Sequence, residues 1–227
     1  MANTALITGG AGALGFSTIN VFLDAGWHVV APVRPGRAGD VPADCFPVEA
    51  DLTSAADTAA AVAAATDDPA SPLTAVVNLV GGFASGGLIA DTPVEDFEAM
   101  LSMNLRPTYL LTAAALPYLI GAGGGSVVCV SSRAALSPFP GAAGYVTAKA
   151  AVLAFAAAVD VEYRKRGVRC NTVLPSVIDT PTNRAAMPDA DHDRWVSPAA
   201  IAETILFLAS KASAPVSGAQ IPVYGQA

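Results

Sequence analysis

The sequence predicts an α/β chain: one doubly wound parallel sheet of about seven strands with helices on both faces. Three observations predict it. Short apolar runs alternate with longer helix-like segments along all 227 residues, the pattern of β–α units whose right-handed crossovers build a parallel sheet. A glycine-rich turn joins the first strand to the first helix. No linker, low-complexity tract or internal repeat interrupts the alternation, so residues 1–227 read as a single domain.

The elements follow in order. Ala5 to Thr8 is a short strand, and Ala13 to Ala25 a helix that Gly26 stops. His28 to Val33 and Cys45 to Val48 read as the second and third strands, with a helix over Ala55 to Ala65. Ala75 to Leu79 is the fourth strand. Val94 to Leu119 has helical periodicity, which Pro107 breaks. Ser126 to Val130 is the fifth strand, Tyr145 to Lys165 a long helix and Val168 to Leu174 the sixth strand. Asp179 to Trp195 carries most of the Pro, Asp and Asn of the C-terminal third and reads as an irregular loop, a candidate lid over about 179–197. Pro198 to Ala209 is a helix and Gln220 to Val223 the last strand.

Composition narrows the function classes. Hydrophobic residues are 53% and charged residues 14%, which excludes a disordered polyelectrolyte. Twelve basic against nineteen acidic residues leave a net charge of −7, so the expectation is no nucleic-acid and no membrane partner. No apolar run is expected to span a membrane before Pro, Gly or a charge interrupts it. Met1-Ala2-Asn3-Thr4 runs straight into strand-like sequence with no secretory pattern, and the expected location is the cytoplasm. Cys45, Cys129 and Cys170 are widely spaced; Cys129 and Cys170 lie in apolar runs and read as small buried hydrophobes, with no metal site expected. His192, in an acidic loop, reads as solvated, and His28, at the start of the second strand, shows no partner.

Thr8-Gly9-Gly10-Ala11-Gly12-Ala13-Leu14-Gly15 contains G-x-G-x-x-G at Gly10, Gly12 and Gly15. Small residues at a strand-to-helix turn let backbone N–H groups approach a pyrophosphate. A dinucleotide site needs a ribose contact about 20 residues on, and Arg34 stands 19 positions after Gly15. Arginine cannot accept from a ribose hydroxyl but can pair with a 2′-phosphate. With Arg37 close by, NADP(H) is therefore expected over NAD(H). Asp51 reads either as an acceptor for an adenine amino group or as the N-cap of the helix after it.

Tyr145 and Lys149 lie four apart on one helix face, with Ser132 thirteen residues before Tyr145 at the end of the fifth strand. A neighbouring ammonium is expected to lower the tyrosine pKa and fit it for proton transfer.

With these residues, the chain resembles the short-chain dehydrogenase/reductase family over essentially its whole length. The resemblance rests on Thr8 to Gly15, Asp51, Asn78-Leu79-Val80-Gly81, Asn104, Ser132, Tyr145, Lys149 and Leu174-Pro175-Ser176. It implies a Rossmann-type domain and hydride transfer between a nicotinamide and a small carbonyl compound. It implies Tyr145 as general acid, Ser132 as the group orienting the carbonyl oxygen, Lys149 on the nicotinamide ribose, and Asn104 holding a relay water. It also implies cofactor contacts from Gly9, Gly10, Gly12, Ala13, Leu14, Gly15, Asp51, Leu52, Asn78, Val80, Gly81, Lys149, Pro175, Val177, Ile178 and Thr180. Three positions depart from the family pattern: Ala13 where glycine is frequent, Leu79-Val80 inside the N-N-A-G segment, and Ser176 in the P-G pair.

The stretch from Leu174 to Trp195, with Gly81-Gly82-Phe83 and Gly144-Tyr145, looks like the dihydropteridine reductase branch of that family. Arg34 and Ser132 disagree, since that branch favours an acidic residue at the first position and lacks the serine. The expectation is therefore a carbonyl or imine reductase on such a frame. Reduction of a quinonoid dihydropterin is the alternative, and a non-catalytic NADP(H) sensor the second alternative. In the lid, Met187 and Trp195 read as anchors of the loop or as an apolar substrate wall. The helix from Tyr145 is apolar nearly all round and must bury a second face. The expected partner is its copy, in a homodimer or homotetramer.

Overall fold

The computed structural model describes residues 3–226; Met1 and Ala2, part of the reading of the N-terminus, and Ala227 lie outside the described residues. Seven strands form one sheet: β1 Thr4–Ile7, β2 His28–Val33, β3 Phe46–Glu49, β4 Leu73–Asn78, β5 Gly125–Val130, β6 Val168–Pro175 and β7 Gln220–Val223. Every neighbouring pair is parallel, in the order β3-β2-β1-β4-β5-β6-β7. The order reverses between β1 and β4, which opens a crevice at the carboxyl ends of these strands.

Side chains alternate across the sheet with the two-residue period of a strand. Ala5 and Ile7 of β1, with Val77 and Val128, face α1 (Ala13–Asp24) and α7 (Pro198–Ala209). Leu6 between them, with Val76, Val127 and Cys129, faces α2 (Ala55–Ala64), α4 (Arg106–Gly121) and α5 (Ala143–Tyr163). On α7, Ile201, Ile205 and Leu208 recur at helical spacing and are fully buried, as are Ile19 and Phe22 of α1.

Several boundaries move. β3 lies one residue later than the sequence predicts, and β4 starts at Leu73. The long periodic stretch divides at Leu105 into α3 (Val94–Asn104) and α4, with Pro107 in the first turn of α4. Pro107 has no N–H for the carbonyl four residues back, so the helix stops before it and restarts with it. α5 begins before Tyr145 and ends at Tyr163; its last turn tightens to 3₁₀ over Arg164–Arg166, and Gly167 closes it at φ +82°.

Two expectations need correction. The segment after β6 is not wholly irregular: it holds α6 (Pro181–Ala186) and a 3₁₀ turn at His192–Arg194. Its two ends are fastened by a parallel bridge between Ile178 and Val196. Pro181 at the first helical position and the Thr180 hydroxyl, which accepts from Asn183 N–H at 3.1 Å, start that helix. Second, one helix, Ala143–Arg166, is long and apolar enough by length and composition to cross a membrane. Lys149 and Asp160 on it are buried, and its Val152, Ala156 and Val159 pack on the sheet as core.

Candidate active site

The predicted site residues follow β1, β2, β3, β4, β5 and β6 and therefore collect at one edge of the sheet. Thr8 ties the first loops together. Its hydroxyl donates to Val77 O and accepts from Leu79 N–H (2.9 Å) and Val80 N–H (3.2 Å). The glycines of the turn divide into two kinds. A side chain on Gly15 would fall on the Gly9 carbonyl, so the fold itself demands glycine there. A Cβ on Gly12 would touch only Gly9 O, at an ordinary 3.4 Å. Gly12 is exposed at the N-cap of α1, with no side-chain cap, so packing does not demand glycine there. An uncapped N-terminus with open approach suits a phosphate group, and Ala13 and Leu14 begin the helix behind it.

Arg34 is exposed beyond β2, and among the described residues no ion pair holds it. Arg37 differs: its guanidinium is paired with Asp40, so it is not the free second cation expected. Asp51 is not the N-cap of α2, because Ser54 takes that position. One oxygen of Asp51 accepts from Thr53 N–H (2.9 Å) and Oγ1 (2.7 Å), and these bonds hold its carboxyl below the usual range. Leu52 is a core side chain, so only its backbone can reach the crevice. Asn78 likewise turns inward, donating to Thr112 Oγ1 (3.1 Å) and Cys129 Sγ (3.7 Å). Pro175 is buried, Val177 and Ile178 are half-buried, and Thr180 serves α6 as its cap.

The chemical centre lies between β4, β5 and α5. Ser132 Oγ accepts from Ala134 N–H at 3.1 Å, and its hydroxyl is the neighbour of the Tyr145 phenol that favours the charged form. Lys149 is buried and donates to Val130 O at 3.2 Å, its ammonium 5.9 Å from the Tyr145 ring centroid. The backbone under Lys149 is held too, because Ser131 Oγ donates to Lys149 O at 2.7 Å. Burial lowers the Lys149 pKa to about 8.

The tyrosine departs from expectation. Its pKa is raised, first by burial, and the Ser132 bond only offsets this in part; Lys149 is not among the causes. The ammonium is turned to the Val130 carbonyl rather than to the phenol oxygen, and a phenolate loses hydration in this site.

Asn104, the last residue of α3, is fully buried. Its amide clamps one residue: Oδ1 accepts from Gly82 N–H (3.2 Å) and Nδ2 donates to Gly82 O (3.1 Å) and Met100 O (3.0 Å). Gly81 sits between Asn104 and Lys149; a Cβ there would come within 2.5 Å of Asn104 Oδ1 and 3.1 Å of Lys149 Nζ. So Asn104 sets the loop beside Lys149.

Sequence reasoning missed other partners. Phe83 meets the Tyr145 ring edge-on, centroids 5.0 Å apart, and nothing in the local sequence pairs positions so far apart. His192 is not simply solvated: its Nε2 is 2.8 Å from Met187 O and its ring 4.4 Å from that of Trp195. Trp195 thus braces the lid from within, while Met187 stays exposed. His28 has a partner in Thr4 Oγ1, 3.3 Å from Nδ1. The net charge also conceals a basic run, Arg164-Lys165-Arg166 with Arg169. Arg164 pairs with Asp160 within the end of α5, and Arg169 of β6 donates to the carbonyls of Leu208, Ser210 and Val216, which ties β6 to the end of α7 and the segment after it. Cys45, Cys129 and Cys170 are all buried thiols.

Comparison with known proteins agrees with this arrangement. The family model described as short chain dehydrogenase matches residues 3–191. The 2-(R)-hydroxypropyl-CoM dehydrogenase of Xanthobacter autotrophicus is 30% identical over 99% of this chain and 98% of its own. The 2,5-dichloro-2,5-cyclohexadiene-1,4-diol dehydrogenase LinX of Sphingobium indicum is 32% identical over 97% of this chain and 94% of its own. Among solved structures, a short-chain type dehydrogenase/reductase from Mycobacterium ulcerans superposes with a TM-score of 0.92 at 27% identity, covering 99% of this chain and 89% of that one.

Proposed function

The chain belongs to the short-chain dehydrogenase/reductase family of NAD(P)-dependent oxidoreductases, and from that premise we propose that it interconverts a small carbonyl compound and its alcohol with NADP(H) as the preferred cofactor. The observation that carries the reaction is buried Lys149 beside Tyr145, its ammonium 5.9 Å from the ring centroid, with the Ser132 hydroxyl as the phenol's neighbour. Both relatives named above are dehydrogenases by name, and their names differ in substrate, so the reaction type carries over and the substrate does not.

The crevice fits a dinucleotide on its own geometry. The uncapped N-terminus of α1 at Gly12 takes the pyrophosphate, Arg34 a 2′-phosphate, Asp51 the adenine side, and Gly81 the space beside Lys149. Backbone of Leu52, Val80, Val177 and Ile178, with Thr180, lines the remaining length. When bound, the nicotinamide carries the hydride to or from the carbonyl carbon. Ser132 donates a hydrogen bond to the substrate oxygen as negative charge builds on it. Tyr145, a phenol that burial keeps in its neutral form, donates its proton to that oxygen during reduction. Lys149 holds the ribose, and Asn104 holds the Gly82 peptide that shapes this corner.

Initial rates of NADPH and NADH oxidation with activated ketones, run beside a quinonoid dihydropterin, test the proposal. Ketone turnover with NADPH that needs Ser132 supports it. Fast pterin turnover that survives Ser132→Ala replaces it by the pterin reading, and tight NADPH binding without turnover of any substrate replaces it by a sensor. Arg34 has its own test. Arg34→Glu is expected to raise KM for NADPH roughly ten- to hundredfold, the worth of a charge-assisted bond, with little change for NADH. Equal effects on both cofactors would remove Arg34 from the phosphate.

The outer face of α5 shows Ala154, Ala157, Ala158 and Val161 to solvent beside the Tyr109–Phe155 ring pair. We assign this face to a second copy of the chain, in a homodimer or homotetramer, to be checked by sedimentation. The buried free thiols support a reducing compartment, and we assign the cytoplasm.

A further inference from the structure

Two loops meet over the Tyr145 ring, and the mechanism above uses neither of their large side chains. Phe83 contacts Tyr145 edge-on, at 5.0 Å and 88°, and lies 6.3 Å from Phe139 at 42°. Phe83 is 60% exposed and Phe139 43% exposed, so neither ring contributes much to the core. Leu88 and Leu136 on the same loops are also exposed.

These rings are nonetheless held in place. Asn104 clamps Gly82 through both its N–H and its carbonyl, which sets the stem of Phe83. Gly86 N–H donates to Gly141 O at 2.8 Å and staples the two loops together. Gly141 has φ +78°, and a Cβ there would come within 2.6 Å of Gly86 O, so the close approach requires glycine. Neither loop, from Gly81 to Leu88 or from Ala134 to Gly141, carries a charged residue. The cation at the start of the second loop is engaged elsewhere: Arg133 lies over the Tyr224 ring at 5.1 Å.

We propose that Phe83 and Phe139 form a fixed aromatic wall beside the proton donor, and that the substrate is an uncharged ketone or secondary alcohol bearing a flat aromatic or unsaturated ring next to the reacting carbon. The wall takes the ring by edge and face contact and keeps water from one side of the reacting oxygen, whereas a charged or strongly hydrated substituent loses solvation there with no partner to replace it. The inference rests on the proposed carbonyl chemistry at Tyr145.

The test compares acetophenone with butanone and pyruvate in the NADPH-loaded wild type, in Phe139→Ala and in Phe83→Ala. The expected result is a kcat/KM for acetophenone on the order of tenfold above that for butanone, carried by KM, with pyruvate poorest. In each variant the acetophenone-to-butanone ratio falls toward one, and Phe139→Leu, which keeps apolar bulk, restores part of it. A wild-type ratio near one, or a ratio that neither alanine variant moves, overturns the wall. Saturation-transfer NMR of acetophenone supplies a readout independent of turnover. If no carbonyl compound is reduced but transfer to the acetophenone ring is seen and disappears in the Phe83→Ala/Phe139→Ala protein, the carbonyl reading fails and the wall stands. If ketones are reduced but transfer is absent or does not depend on either Phe, the wall fails and the carbonyl reading stands.

Discussion

Replacing Tyr145 by phenylalanine is expected to cut ketone reduction by ~10²–10⁴-fold, the usual contribution of a positioned general acid, while NADPH binding persists. The phenyl ring of the Tyr145→Phe variant would keep the edge contact with Phe83 and lose only the hydroxyl. Stopped-flow NADPH oxidation, with cofactor affinity measured separately by fluorescence, checks both halves. A variant that turns over at more than a tenth of the wild-type rate would move the proton donor elsewhere. The direction of the tyrosine shift adds a pH dependence. Burial favours the neutral phenol, so Tyr145 stays a proton donor through the neutral range and suits reduction there. Alcohol oxidation needs the phenolate as base, so its rate is expected to climb with pH well into the alkaline range. An oxidation rate that levels off near pH 7 would show a phenol lowered rather than raised.

The second large effect concerns stability. Lys149 is expected to be a cost to the fold, and Lys149→Met to stabilise it at neutral pH while abolishing efficient turnover. Its pKa falls from 10.5 to about 8 because burial penalises the charged form. At about 1.4 kcal/mol per unit this shift amounts to about 3 kcal/mol of destabilisation at pH 7. Losing the bond to Val130 O returns about 1 kcal/mol, so a net gain of about 2 kcal/mol is expected. Between pH 8 and 10.5 the unfolded chain binds more protons at this lysine than the folded one, so wild-type stability rises with pH in that window. The difference between the two proteins is therefore widest below pH 8 and shrinks toward pH 10.5. Urea unfolding of both proteins across that range measures it. A methionine variant less stable than wild type at pH 7, or a gap indifferent to pH, would mean that the ammonium is better solvated in the fold than its burial implies. Such a cost at a site residue fits a site arranged for function rather than stability.

Much of the fold was legible because its signals are local. β2, α7 and β7 lie where the periodicity places them, from His28 to Val33, Pro198 to Ala209 and Gln220 to Val223. The break near Pro107 follows from a missing N–H, though the exact residue, Leu105, depends on how α3 and α4 pack. α6 escaped notice because six residues are too few to show a helical period. The dihydropteridine reductase likeness, read on Leu174 to Trp195, Gly81 to Phe83 and Gly144-Tyr145, stays a likeness of segments, whereas family membership rests on a match over residues 3–191 and on a relative that covers 99% of the chain.

By itself the sequence determined the β–α order, the glycine turn, and the placing of Tyr145 and Lys149 on one helix, since each is written in short spacings along one strand, turn or helix. Tertiary structure alone decided what surrounds them. Asn78 turns to Thr112, Arg37 is taken by Asp40, Asn104 clamps Gly82, and Phe83 leans on Tyr145. It also decided the sign of the tyrosine shift, which the Tyr–Lys spacing alone placed on the wrong side. The physical reason is the same throughout. Desolvation and side-chain pairing depend on which groups from distant segments share a small volume, and that is set only when the sheet closes over them.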